Sequence, residues 1–178
     1  MKTGSLMRIV RLGLLPALFL ISVDAPNKAS AATATANLTV SATIANTCTI
    51  STAALTFGAY DPIVANATSP LNGTGTITTT CTTGATPVIT LGQGLHAGTG
   101  STDPAPIRRM NTGSNYMGYA LYQDSGHATV WGNTSGTAPA AVAGTGIAQN
   151  TTVYGQVSAG QDLPAGTYND TVVATVTF

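Results

Sequence analysis

The sequence contains no glutamate, and only 7% of its 178 residues are charged, whereas soluble proteins average about 25%. Glutamate and lysine favour helices, while threonine, which occurs 32 times here, favours strands. The composition therefore argues against helical bundles and coiled coils. With only six basic residues, the chain also lacks the basic stripe with which nucleic-acid-binding proteins neutralise phosphates.

The first 32 residues are typical of a cleaved signal peptide. Cationic residues precede an apolar run of twelve residues from Leu12 to Val23, and small residues follow at Ala29, Ser30 and Ala31. Such a run is too short to cross a hydrocarbon core of about 30 Å as an anchor, and no later stretch approaches that length. The chain after the signal peptide has two arginines against five aspartates, a net charge of −3. Low charge offers little repulsion between copies, which suits an assembly subunit.

Cys48 and Cys81 are the only cysteines, and both follow the predicted signal peptide. An even number of cysteines in an exported chain predicts a disulfide. A metal site is the alternative, but His96 and His127 have no nearby cysteine or histidine at the usual ligand spacing. We therefore expect a disulfide, no metal, and an oxidising compartment such as the periplasm.

The chain is rich in segments that predict strands and turns. Residues 34–44 alternate strictly between apolar and polar side chains over eleven residues, which is typical of a strand. Residues 92–115 are dense in glycine, proline, serine and threonine, which predicts mainly loop. Further strands are predicted at 55–58, 75–82, 87–91, 116–123, 130–131, 151–157 and 168–178. Such short strands separated by turns predict an all-β antiparallel sandwich in a single domain.

The two ends of this predicted sandwich are unusual. The last strand runs to Phe178, so an uncovered sheet edge beside it would be adhesive. The alternating strand at 34–44 could fill such a gap on a neighbouring molecule by strand addition. It could equally pair within its own domain, and the pattern alone does not choose between these alternatives.

Several motifs, in order and spacing, resemble the spore coat protein U domain family, which includes subunits of archaic (Csu-type) chaperone–usher pili. The ending from Leu163 to Phe178, with its LPAGTYNDTV segment, is the most specific of them. The others are the alternating strand leading to Thr47–Ile50, then Leu55–Gly58, Cys81, Tyr119–Asp124 with nearby Trp131, and Tyr154–Val157.

The resemblance implies an incomplete immunoglobulin-like sandwich, residues 46–178, that is completed by a donated strand. A periplasmic chaperone would lend that strand until an outer-membrane usher exchanges it for residues 33–45 of another copy or a related subunit. The donor side chains would be Leu38, Val40, Ala42 and Ile44, of which Ala42 is small and suits a shallow pocket. The acceptor or chaperone contact would be Val172, Ala174, Val176 and Phe178, with the carboxylate of Phe178 as an anchor.

The motifs for catalysis are weak. Asp124-Ser125-Gly126 matches an aspartic-protease loop, but that chemistry needs two carboxylates sharing a proton, and a turn is already expected here. Ser125 and His127 are too close in sequence to face each other as nucleophile and base. We therefore predict no catalytic residue and no cofactor.

Two groups of residues leave a binding role open. Arg108 and Arg109 could hold a carboxylate or phosphate, although solvated loop arginines are more common. Trp131 with Tyr119 and Tyr122 could form a sugar-binding platform, although buried sandwich aromatics are more common. The sequence thus predicts an exported, non-enzymatic pilus subunit that serves adhesion or biofilm formation. The alternatives are a self-contained carbohydrate- or surface-binding sandwich, a spore or cyst coat protein and, less favoured, a small secreted hydrolase.

Overall fold

A computed structural model describes residues 28–178, which form an all-β fold. The strands are β1 (Cys48–Ala53), β2 (Leu71–Cys81), β3 (Val88–Leu91), β4 (Arg108–Thr112), β5 (Asn115–Tyr122), β6 (Ala148–Val157) and β7 (Ala174–Thr177), with one 3₁₀ turn at Ser135–Thr137. β1, β2, β6, β5 and β4 form a five-stranded sheet in that order, and β3 pairs with β7 in a second sheet. Every strand pair is antiparallel, so the predicted all-β fold class is confirmed.

The core lies between the two sheets, where alternate residues of each strand face inward. In β2 and β6 the buried positions are apolar or glycine except for Thr79, while the outer face is mostly threonine, asparagine and glutamine. The buried cluster comprises Ile77, Ile89, Leu91, Leu121, Trp131 and Val153. The only tryptophan is fully buried, and its indole N–H donates a hydrogen bond of 2.9 Å to the carbonyl of Ile89. Both sheets therefore contribute to one core.

The chain divides into two units, Met1–Ser41 and Ala42–Phe178. The described part of the first unit, residues 28–41, belongs to no strand or helix and is exposed. The predicted signal peptide, residues 1–32, lies outside the described residues except for 28–32, and it stays a prediction.

Several sequence-based strand assignments differ from the structure. Of the predicted strand 168–178 only Ala174–Thr177 forms a strand, and of 130–131 only Val130 pairs, in an isolated bridge with Tyr122. The first strand of the sandwich is β1, which begins at Cys48, whereas residues 55–58 form no strand. Residues 34–44 form no strand in the single chain, because a strand needs a partner for its backbone groups. β4 lies inside the segment predicted as loop, because its residues gain strand structure by pairing with β5.

Candidate functional site

An apolar groove lies beside the core, formed by two adjoining cavities of about 580 and 380 Å³. Leu55, Phe57, Met110, Tyr168 and Asn169 line both cavities. The floor of the smaller cavity includes core residues of both sheets, among them Ile77, Leu91, Leu121 and Val153. The smaller cavity therefore reaches down to core residues of both sheets, although these residues are themselves buried.

Three glycines of the five-stranded sheet make room for one wall of the groove. A Cβ on Gly155 would lie 2.8 and 2.9 Å from the two Cδ atoms of Leu55 and 2.9 Å from Cε1 of Phe57. On Gly75 it would lie 2.9 Å from Cβ of Leu55, and on Gly73 3.1 Å from Cδ1 of Phe57. Leu55 and Phe57, predicted as strand residues, thus pack directly on the glycines of β2 and β6.

The opposite wall includes the residues leading into β7, and β7 has an open edge. Gly92 N–H donates to the Val173 carbonyl at 2.9 Å, and Leu95 N–H donates to that of Thr171 at 3.2 Å. Because hydrogen-bonded and non-hydrogen-bonded residues alternate along an antiparallel strand, Val172, Ala174 and Val176 direct their backbone groups away from β3. No strand of the described residues pairs with β7 on that side.

The predicted acceptor residues occupy this same strand. The side chains of Val172, Ala174 and Val176 are half-buried and pack against the core, and Val172 and Ala174 line the smaller cavity. Phe178 is 51% exposed. Their role as acceptor residues remains a proposal.

The predicted donor residues are exposed. Leu38, Val40 and Ile44 are 87%, 85% and 86% exposed, and Ala42 is also exposed. Three large apolar side chains are therefore presented to solvent on alternate residues, which is costly for a chain with no use for them.

Cys48 and Cys81 form the predicted disulfide. They are opposed residues of β1 and β2, with Cα atoms 4.1 Å apart. The bond thus joins the first residue of β1 to the last residue of β2.

Arg108 corrects the expectation that both arginines are solvated. It is 1% exposed, and it extends from β4 to the second sheet. Its Nη2 donates to the carbonyls of Leu91 and Trp131 and its Nε to that of Gly92, each at 2.8 Å. Three backbone acceptors offset much of the cost of burying the guanidinium, yet burial still lowers its pKa to about 10. Sequence reasoning missed this residue because nothing in a glycine- and proline-rich context indicates burial.

Arg109 is partly buried in the same strand. Its Nε and Nη2 donate to the carbonyls of His96 and Ala97 at 3.1 and 2.9 Å. Its guanidinium carbon lies 4.2 Å from the ring centre of Tyr116. Both arginines therefore hold backbone carbonyls, which leaves no arginine pair facing solvent as an anion site.

Asp170 is a second buried charge, and its side chain is 2% exposed. The carboxylate accepts hydrogen bonds from the Tyr119 hydroxyl at 2.7 Å and from Leu95 N–H at 2.9 Å, and it lies 3.1 Å from Nδ1 of His96. Burial, followed by the bond to Asp170, raises the pKa of Tyr119 well above its usual range. Tyr119 and Asp170 both line the smaller cavity.

The motifs considered for catalysis and sugar binding have structural roles. The carboxylate of Asp124 accepts hydrogen bonds from the backbone of Ala128 and Thr129, which lower its pKa and hold a turn, as the sequence predicted. Trp131 is buried, whereas the ring of Tyr122 lies 5.2 Å from that of His127. Trp131, Tyr119 and Tyr122 therefore do not form one exposed platform.

Within residues 28–178, no helix is long and apolar enough to cross a membrane. In the same part of the chain, no cluster of three or more histidine, cysteine or acidic side chains is arranged to hold a metal ion.

Comparison with known proteins gives matches of three kinds: to a family model, to a curated protein and to solved structures. Residues 34–175 match the model of the Spore Coat Protein U domain. The chain is 47% identical over 165 residues to a protein of Myxococcus xanthus named Protein U, covering 88% of this chain and 92% of that protein.

A structural match comes from the pre-assembly complex of chaperone CsuC and tip adhesion subunit CsuE, from the archaic chaperone–usher Csu pili of Acinetobacter baumannii. The TM-score is 0.52 at 22% identity, over 76% of this chain and 40% of the matched chain. This chain therefore spans less than half of the matched chain's length, and at that identity the likeness shows the fold alone.

The family match begins within the exposed N-terminal segment and continues through the groove to β7, so it covers both features that the sequence singled out. Neither the family description nor the names of the matched proteins mention an enzymatic activity. With a match over residues 34–175 and a relative at 47% identity, the chain belongs to the Spore Coat Protein U domain family.

Proposed function

We propose that this protein is a pilus subunit that assembles head to tail by the chaperone–usher route. Residues 33–45 of one copy enter the apolar groove of the next and complete its sandwich. The observation that carries the proposal is the groove beside the open edge of β7, in a chain that also exposes an alternating apolar segment.

The side chains of the two features are complementary. An inserted strand places alternate residues on one side, so Leu38, Val40 and Ile44 enter the groove together. Burying a large apolar side chain contributes about 1.5–3 kcal/mol, and these three therefore contribute about 5–9 kcal/mol before ordering costs. The intervening residues are all threonine or serine, which suits the solvent-facing side of the new strand.

Backbone pairing favours the same position. Val172, Ala174 and Val176 direct their N–H and C=O groups to the open edge of β7. An added strand pairs with these groups, and its side chains give register, as in other cases of strand addition. Ala42 is the small member of the donor series and suits a shallow pocket.

Assembly of this kind produces a filament. The contact joins two different surfaces of the subunit, so it is heterologous and does not close on itself. Before assembly, a periplasmic chaperone occupies the groove, and the outer-membrane usher exchanges it for the next subunit, which is a copy of this chain or a related one. Support for a chaperone partner comes from the matched complex, which contains a chaperone. The signal peptide routes the chain through the periplasm to the cell surface, where the filament serves adhesion or biofilm formation.

The test is multimer formation with the cognate chaperone and usher, followed on unboiled denaturing gels. Val40→Asp places a charge on the groove-facing side, and Ser41→Asp places the same charge on the opposite side of the same segment. We expect a ladder for wild type and S41D that collapses on boiling, and monomer alone for V40D and for a chain lacking residues 33–45. A wild-type chain that remains monomeric, and that loses its fold when residues 33–45 are removed, contradicts the proposal and favours a self-contained binding module.

The family description favours one second candidate, a coat protein of spores or cysts. Strand exchange would then build a layer on a resting cell rather than a filament on a growing one. Immunogold labelling of growing and resting cells distinguishes these roles, because a pilus gives labelled filaments and a coat gives a continuous labelled surface.

A further inference from the structure

Two neighbouring side chains of the five-stranded sheet extend to the second sheet beside the groove. Arg108 of β4 and Tyr119 of β5 are directly opposed residues of the β4–β5 pair. Arg108 binds the carbonyls of Leu91, at the end of β3, and of Gly92, which follows it. Tyr119 binds Asp170, four residues before β7. The pair thus connects the five-stranded sheet to the end of β3 and to the segment that leads into β7.

We propose that Arg108, Tyr119 and Asp170 form an inter-sheet brace that holds the apolar groove in the shape that accepts a strand. The inference rests on the proposed strand-acceptor function and assigns these three as positioning residues.

An empty apolar groove tends to close, and the brace would oppose that closure. Apolar walls that face water are driven together, and closure of the two sheets would reduce the groove without any donor. Closure would break or distort the hydrogen bonds of the buried Arg108 guanidinium and Asp170 carboxylate. Hydrogen bonds to charged groups are the most costly to lose. The brace therefore opposes collapse at the level of the smaller cavity.

The brace also positions the facing wall of the groove. The ring of Phe57 meets that of Tyr119 edge-on, with ring centres 6.0 Å apart. Phe57 lines both cavities. The hydroxyl–carboxylate bond that orients Tyr119 thus also limits where Phe57 can lie.

Two variants and one matched control test the brace in the complex of full-length chain and chaperone. Tyr119→Phe removes the hydroxyl, and Asp170→Asn removes the charge with little change in shape. Tyr122→Phe removes a hydroxyl from the same strand on the outward-facing side, away from the groove. The probe is a synthetic peptide of residues 33–45, added to displace the chaperone.

Two quantities are measured for each variant: the affinity for the peptide, and the melting temperatures of the chaperone-free domain with and without peptide. We expect Y119F and D170N to bind the peptide at least roughly tenfold more weakly than wild type. That factor corresponds to the loss of one hydrogen bond to a charged group. We expect a larger loss of melting temperature in the empty domain than in the peptide-filled one, where the donor itself holds the sheets. Y122F should match wild type in both measurements.

Each other outcome has a distinct meaning. If Y119F and D170N bind the peptide as wild type does, and both forms of the domain lose equal stability, the bond is merely structural and the brace is refuted. If one variant fails to fold, the other decides. If wild type itself takes up no peptide, the strand-acceptor function fails, and the brace proposal fails with it.

Discussion

Gly155→Ala tests whether the glycines of the five-stranded sheet are needed to make room for the side chains of Leu55 and Phe57. The added methyl would lie 2.8 to 2.9 Å from three carbon atoms of these side chains, whereas such contacts settle at roughly 3.5–4.0 Å. Overpacking of this kind costs about 1–3 kcal/mol. We expect that loss in the free energy of unfolding by urea, and weaker uptake of peptide 33–45, because the displaced side chains move into the groove.

Gly136→Ala is the matched control, because a methyl there would meet nothing within 4 Å, and it should leave stability unchanged. The double variant G155A/L55A removes the side chain that the methyl displaces. It should lose less stability than the sum of its two single variants, as expected for residues in contact. Close packing of Leu55 and Phe57 on Gly155 is contradicted if G155A is as stable as G136A. It is also contradicted if the stability losses of G155A and L55A simply add in the double variant.

Three further predictions follow from the bonds described above. Replacing Cys48 and Cys81 by alanine opens a link between residues 33 apart in sequence; the loop-entropy relation gives a loss of about 3.7 kcal/mol, measurable by urea unfolding against the oxidised parent. Trp131→Phe leaves the Ile89 carbonyl unpaired, which costs about 1–3 kcal/mol plus a cavity term, seen as a lower melting temperature by circular dichroism. Because the pKa of Tyr119 is raised in the folded state, the protonated hydroxyl stabilises the fold. This contribution to the free energy of unfolding is complete below the usual pKa range of tyrosine, and it is lost as the pH rises through the raised pKa of the folded state. Phenolate absorbance should therefore show a late component that accompanies alkaline unfolding, and this component should be absent in Y119F.

The sequence was informative where the pattern has a local cause. Alternation and threonine content predicted the segments that became β2, β3, β5 and β6, because one face of each of these strands is buried. The disulfide was predictable because two cysteines in a chain predicted to be exported usually pair with each other. The expectation of an acceptor groove came from the resemblance to a family, since no local pattern specifies an incomplete sandwich.

The errors arose where distant contacts decide the structure. Leu55 and Phe57 alternate like strand residues, yet their side chains are placed by glycines some 16 to 100 positions away in the sequence. β4 forms by pairing with β5, and the burial of Arg108 depends on the carbonyls of Leu91, Gly92 and Trp131. Local composition reveals neither. Glycines inside otherwise regular strands, as at Gly75 and Gly155, were the available signal that another side chain approaches closely.

The disulfide determines how a pulling force would enter the sheet. Cys48 begins β1 three residues after the proposed donor segment, and its covalent partner ends β2. Tension applied through the N-terminal segment is therefore shared at once between two neighbouring strands, and β1 cannot be peeled away from β2 starting at that end. In a filament under flow, the load would pass through the covalent bond into β2, the strand with the longest ladder of partners. The bond would then act as a mechanical anchor at the point where each subunit is held by its neighbour.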